Sequence, residues 1–238
     1  FLKEHGLDPE DEKIVVAGTS SQYAVSYDFA LARYHADGTL DTSFGSGGKV
    51  VTHFGYTADE AYDLVIQPDG KIVAAGFSQQ RPAEVIHNDV ALARYHTDGS
   101  LDTSFGSGGK VLTDFGETND SGWGVGLQPG GKIVVAGHTA QSATGYDFAL
   151  ARYNADGSPD TSFGDQGAVT TDFGSNDRAY GLVIRADGNV IVAGEAYVPG
   201  TGSDFALACY QGGMQGEIHG TKYEDLDGDG QRDPGEPA

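Results

Sequence analysis

One hexapeptide constrains this chain more than any other feature. Lys13-Ile14-Val15-Val16-Ala17-Gly18 returns at Lys71 to Gly76, at Lys132 to Gly137 and as Asn189 to Gly194, with the closing glycines 58, 61 and 57 residues apart. A second string, Asp28-Phe29-Ala30-Leu31-Ala32-Arg33-Tyr34, recurs from Asp89, Asp147 and Asp204. A third, Asp41-Thr42-Ser43-Phe44-Gly45, recurs from Asp102 and Asp160. A repeat of about 60 residues cannot bury its apolar faces alone, so consecutive units must stack on one another.

Each unit reads as four short strands. In the second they are predicted at 61–67, 71–77, 89–96 and 110–115, rich in β-branched and aromatic residues and bounded by Gly, Asp or Pro. Gln67-Pro68-Asp69-Gly70 joins the first two as a tight turn, with Pro presetting φ and Gly supplying a positive one. Along the third strand, Val90, Leu92 and Arg94 alternate with Ala91, Ala93 and Tyr95. Both faces are largely apolar, so the sheet is covered on both sides. The expected fold is all-β, a β-propeller-like array of four-stranded antiparallel blades. The units fall at about 1–54, 55–115, 116–173 and 174–210, with a linker at 211–216.

The stretch from Ala61 to Gly76, the Asp-Phe-Ala-Leu-Ala-Arg-Tyr string, Asp98 to Gly106 and the closing Asp114-Phe115-Gly116 together resemble the bacterial delta-60 repeat. The resemblance spans residues 13–210 and implies a β-propeller. Three departures stand out. The first unit has a degraded first strand (Phe1 to Glu12), the fourth is expected to lack its last strand, and Cys209 replaces Arg33, Arg94 and Arg152. An incomplete ring is expected over a tightly closed four-blade one.

Charge narrows the function. With 14 Lys+Arg against 35 Asp+Glu, the net charge is −21, and no basic stripe offsets it, which excludes nucleic acid as a partner. Apolar runs of four or five residues are far short of the roughly 20 of a membrane helix, so no membrane insertion is expected. The single cysteine rules out an internal disulfide framework and a cysteine zinc site.

Loop lengths suggest where a partner docks. From the Asp opening strand three to the Phe of Asp-Thr-Ser-Phe is always 16 residues, and from that Phe to the strand-ending Phe always 10. The connections that vary are those from strand two to three and from strand four to the next unit, which emerge on one face. The candidate ligand-binding residues on that face are Tyr23, Arg81, His87, Asn88, His138, Tyr146 and Tyr197.

No catalytic motif is complete. Gly126 to Lys132 has phosphate-loop spacing, but Ile133 stands where Ser or Thr is required, and the segment is a hairpin. Asp114-Phe115-Gly116 and Asp172-Phe173-Gly174 spell the kinase metal triplet without the companion loops. The seven His show no ligand spacing, and most carboxylates recur with the repeat, as structural groups do. No enzyme is expected, with a carbohydrate-active or glycan-binding propeller as the alternative.

After Tyr210 the pattern changes. Counting from Asp225, acids stand at positions one, three, five, nine and twelve with Gly at six, the spacing of a calcium loop. Asp225, Asp227, Asp229, Asp233 and Glu236, with the carbonyl of Gln231, are the candidate ligands of Ca2+. Pro234-Gly235 prevents an ordinary exiting helix. The preceding Gly220-Thr221-Lys222-Tyr223-Glu224 resembles the opening of a serine-aspartate-repeat B-type module, so 217–238 is expected to begin such a calcium-binding module. That resemblance implies an extracellular or cell-surface bacterial protein and a role in adhesion or display. Its partner is an unknown protein or glycan.

Overall fold

The computed structural model describes residues 7–8, 13–23, 26–55, 58–80, 86–116, 119–141, 145–198, 202–212 and 218–220. Those residues form sixteen strands and no helix, so none is long and apolar enough to cross a membrane. The first sheet contains β1 (Leu7–Asp8), β2 (Lys13–Tyr23), β3 (Ser26–Tyr34) and β4 (Lys49–Thr52), and the second β5 (Asp59–Ile66), β6 (Ile72–Gln80), β7 (His87–Tyr95) and β8 (Lys110–Thr113). The third contains β9 (Asp120–Leu127), β10 (Ile133–Gln141), β11 (Gly145–Tyr153) and β12 (Ala168–Thr171). The fourth contains β13 (Asp177–Ile184), β14 (Val190–Val198), β15 (Gly202–Tyr210) and β16 (Ile218–Gly220). In each sheet the strands are antiparallel and neighbour one another in chain order.

The fourth sheet corrects one expectation. Its last strand is present: β16 pairs with β15 through Ala208–Gly220, Cys209–His219 and Tyr210–Ile218. The strand does not resemble Lys49–Thr52 in sequence and lies further down the chain, which hid it from the repeat. The strand-two to strand-three hairpins are also longer than expected. β6 and β7 stay paired out to Gln80 and His87, so residues read as loop are an extension of the blade.

The alternation of large and small side chains sets the stacking. Val73, Ala75, Val90, Leu92 and Phe105 of the second blade meet Val125, Ile133, Val135, Ala151 and Tyr153 of the third in one buried cluster. The opposite face, with Ala74, Ala91, Ala93 and Tyr95, meets Val15, Phe29, Leu31 and Phe44 of the first blade. A third such core joins blades three and four. The first and third of these cores in chain order set a bulky face against an alanine-rich one, which suits close stacking of the sheets. β9 neighbours both β5 and β13, which makes these three the innermost strands.

Two polar links repeat at the blade boundaries and account for the Arg-Tyr pair of the second string. Arg94 Nε donates to Asp102 Oδ2 at 2.9 Å, its guanidinium lies 4.5 Å from the Phe105 ring centroid, and Nη1 donates to the Ala155 carbonyl of the next unit. Arg33 and Arg152 repeat this pattern toward Thr97 and Gly212. Tyr95, Tyr153 and Tyr210 reach back to the preceding blade, their hydroxyls bonded to Thr52, Thr113 and Thr171.

The array is open. Among the described residues no comparable packing joins the fourth sheet to the first. Phe205 is 62% exposed, while Phe29 and Phe148 at the same repeat position are 0% exposed under a following blade. Cys209 fits this end of the array. The fourth unit has no Asp-Thr-Ser-Phe string to receive an arginine, and none is placed there.

Candidate functional site

The glycine closing the second, third and fourth copies of the hexapeptide is required by a backbone irregularity. In each of β5, β9 and β13 the pairing register slips by one residue, at Tyr62, Trp123 and Tyr180, opposite Gly76, Gly137 and Gly194. A Cβ on those glycines would lie 1.8, 1.7 and 1.9 Å from the carbonyl oxygens of Glu60, Ser121 and Arg178. These β-bulges re-aim one side chain in each inner strand, and all three are aromatic.

The three aromatics form a ladder across three blades. The Tyr62 and Trp123 rings stack with centroids 4.2 Å apart and planes 5° from parallel. Tyr180 meets Trp123 edge-on at 5.8 Å. Phe77 lies 5.8 Å from Tyr62, and His138 lies 6.2 Å from Trp123 and 4.9 Å from Tyr146. Polar groups border the ladder. The Tyr62 hydroxyl donates to Glu60 at 3.1 Å, the Tyr180 hydroxyl to Glu195 at 2.6 Å, and Arg178 bonds Glu195 while covering the Tyr146 ring. Trp123 Nε1 is buried and has no acceptor, which is unusual for an indole and leaves a donor beside the stack.

Electrostatics keep the site neutral at its centre. Burial first, then the Glu195 hydrogen bond and charge, push the Tyr180 hydroxyl up to about 12. Burial, and secondly the Arg178 charge, push the His138 imidazole down to about 4, against a weaker opposing pull from Glu195. His138 is thus a neutral ring beneath the ladder. Its folded value lies below the ordinary 6.5, so the unfolded chain takes up a proton first as pH falls, and stability is lost between pH 6.5 and 4. His138→Phe abolishes that loss. Relative to the wild type it should gain up to about 3 kcal/mol on going from pH 7 to pH 4, read by urea titration at both pH values. Parallel pH profiles would contradict the buried neutral imidazole.

The structure brings together His138 and Tyr146 from the loop-face residues. His87 is buried at the start of β7 with Nε2 3.3 Å from Asp89 Oδ1, and the neighbouring Asn88 N–H donates to Asn119 at 3.2 Å. Tyr197 is partly exposed on β14. Tyr23 ends β2, and Arg81 lies outside the described residues, as does the acidic tail from Asp225 to Glu236. Sequence reading missed Tyr62, Trp123 and Tyr180. A signal was available: each stands 14 residues ahead of its hexapeptide glycine, and each is aromatic.

Among the described residues, three further groups could hold a metal: Asp28, His53 and Asp59; His87, Asp89 and Asp114; and Asp147, Asp172 and Asp177. All lie where the end of one blade's fourth strand meets its third strand and, in the first and third groups, the start of the next inner strand. Asp59, Asp120 and Asp177 accept hydrogen bonds from the N–H groups of Phe54, Phe115 and Phe173, which anchors each strand-ending Phe.

Four-stranded sheets in chain order, stacked about shared inner strands, define a β-propeller repeat protein. The family model described as "Domain of unknown function (DUF5122) beta-propeller" matches residues 10–44, 67–105, 128–163 and 185–212, more than half of the chain, which therefore belongs to that family. No curated protein matches the sequence. Among solved structures the chain is similar to the hydrazine synthase of Kuenenia stuttgartiensis, at 14% identity and a TM-score of 0.42. That match covers 88% of this chain but 28% of the other, and so weak a likeness carries no argument.

Proposed function

We propose that this chain is a non-catalytic binding platform of an extracellular or cell-surface bacterial protein, serving adhesion or display, and that its ligand is a glycan. The observation that supports this most is the ladder of Tyr62, Trp123 and Tyr180 with hydrogen-bonding groups along its border. Flat aromatic faces stack on the apolar faces of sugar rings, while Glu60, Arg178 and Glu195 offer hydroxyl partners. Most recurring acids have structural duties elsewhere, as Asp41, Asp102 and Asp160 do at the arginine links. In this reading the repeats are delta-60 repeats, and the tail from Asp225 to Glu236 opens a serine-aspartate-repeat B-type module rigidified by Ca2+.

The test is a panel of immobilised glycans probed with the full chain. Saturable binding to one glycan class is expected, weakened at least tenfold by Trp123→Ala and unchanged by Phe205→Ser, which alters only the open face. Binding that survives Trp123→Ala, or no binding to any glycan, would overturn the reading. Turnover of a bound glycan, lost in Glu195→Gln, would replace it with a carbohydrate-active enzyme.

A further inference from the structure

We infer that the boundary between the third and fourth blades binds a calcium ion through the carboxylates of Asp147, Asp172 and Asp177. One oxygen from each lies within 4.8 Å of the others. An ion with ligands at 2.3–2.6 Å reaches atoms up to about 5 Å apart, so a single calcium spans the group. The donors are oxygen only, which selects a hard cation over zinc or copper.

A buried carboxylate oxygen points independently to a ligand. Asp177 is 0% exposed, and while Oδ2 accepts the Phe173 N–H at 2.6 Å, Oδ1 meets no donor at hydrogen-bonding geometry. A carboxylate oxygen left so in a protein interior costs free energy unless a proton or cation joins it.

The repeat supplies its own comparison. At the first boundary His53 stands where the third has Asp172, with Nδ1 2.9 Å from Asp28 and 3.5 Å from Asp59. At the second, His87 faces Asp89 at 3.3 Å. An imidazole therefore accompanies the acids at the first two boundaries. The third group contains three carboxylates and no histidine, so a bound cation would offset there the charge that an imidazole can offset in the other two.

The acidic tail would bind calcium too, so the test uses the full chain carrying Asp227→Ala and Glu236→Ala. Calorimetric titration with CaCl2 should still show saturable binding. Adding Asp172→Asn should lower the stoichiometry by one ion or weaken affinity at least tenfold. Asn keeps the acceptor that Asp172 offers to the Gly174 N–H, so the fold is retained. Asp187→Asn, in an exposed turn, should change nothing. Calcium should also raise the melting temperature of the parent more than that of Asp172→Asn. No saturable binding, or binding undiminished by Asp172→Asn, would overturn the inference.

Discussion

Gly137→Ala should destabilise the protein by at least about 3 kcal/mol, read from the urea midpoint. The added Cβ would sit 1.7 Å from the Ser121 carbonyl oxygen and 3.0 Å from Gly122 Cα, both of which are backbone and cannot swing aside. Relief requires β9 to move or its bulge to be lost. Losing the bulge shifts the pairing by one residue and turns side chains beyond Trp123 to the opposite face, including Val125 in the core between blades two and three. Gly18 is the comparison, because among the described residues nothing lies within 4 Å of its Cβ position. Gly18→Ala should fall within about 0.5 kcal/mol of the wild type. Equal losses in the two variants would show that the hexapeptide glycine serves something other than the bulge.

Arg94→Ala is expected to cost about 3–5 kcal/mol, the range for breaking a buried ion pair by removing one partner. The guanidinium fork satisfies Asp102, Ser104 and the Ala155 carbonyl at once while covering Phe105. Its removal leaves Asp102, 2% exposed, with Lys71 at 3.4 Å and its Ser104 hydrogen bonds. Arg94→Lys should recover little, since a point charge cannot reproduce three divergent bonds. Acid behaviour checks the same contact. Although burial opposes it, Ser104 hydrogen bonds and the Arg94 and Lys71 charges hold the Asp102 carboxyl well below the usual carboxylate range. Its stabilisation is therefore complete above the unfolded value of 3.8 and fades as pH falls toward the lower folded value. The deficit of Arg94→Ala should shrink below about pH 3, measured by urea titration across pH. A deficit independent of pH would remove the ion pair as its cause.

The periodic strings expose the blades because stacking demands the same large and small faces from every unit. That is why the Val-Leu-Arg and Ala-Ala-Tyr alternation already placed Val90 and Ala91 in different cores. The arginine links were harder to see. Arg94 and Ala155 lie 61 residues apart, and their bond appears only once consecutive units are stacked. Bulges are invisible to strand periodicity, since one extra residue looks like a break in alternation, so the aromatic at each slip was overlooked. The fourth blade closes with Ile218–Gly220, whose sequence shares nothing with the strand it replaces. The acids of the third boundary recur with the repeat, which made them look structural. Only the fold shows that Asp147, Asp172 and Asp177 converge from β11, the end of the fourth strand and β13.

Trp123 is the only tryptophan in the chain, so its emission reports on the ladder alone. Titrating the protein with a soluble oligosaccharide of the class captured on the glycan panel should give a saturable change in intensity and a blue shift as the sugar excludes water from the indole. The same titration with Tyr62→Ala should require at least tenfold more sugar. Unchanged emission while the sugar demonstrably binds would place the ligand elsewhere and contradict the ladder as the binding site.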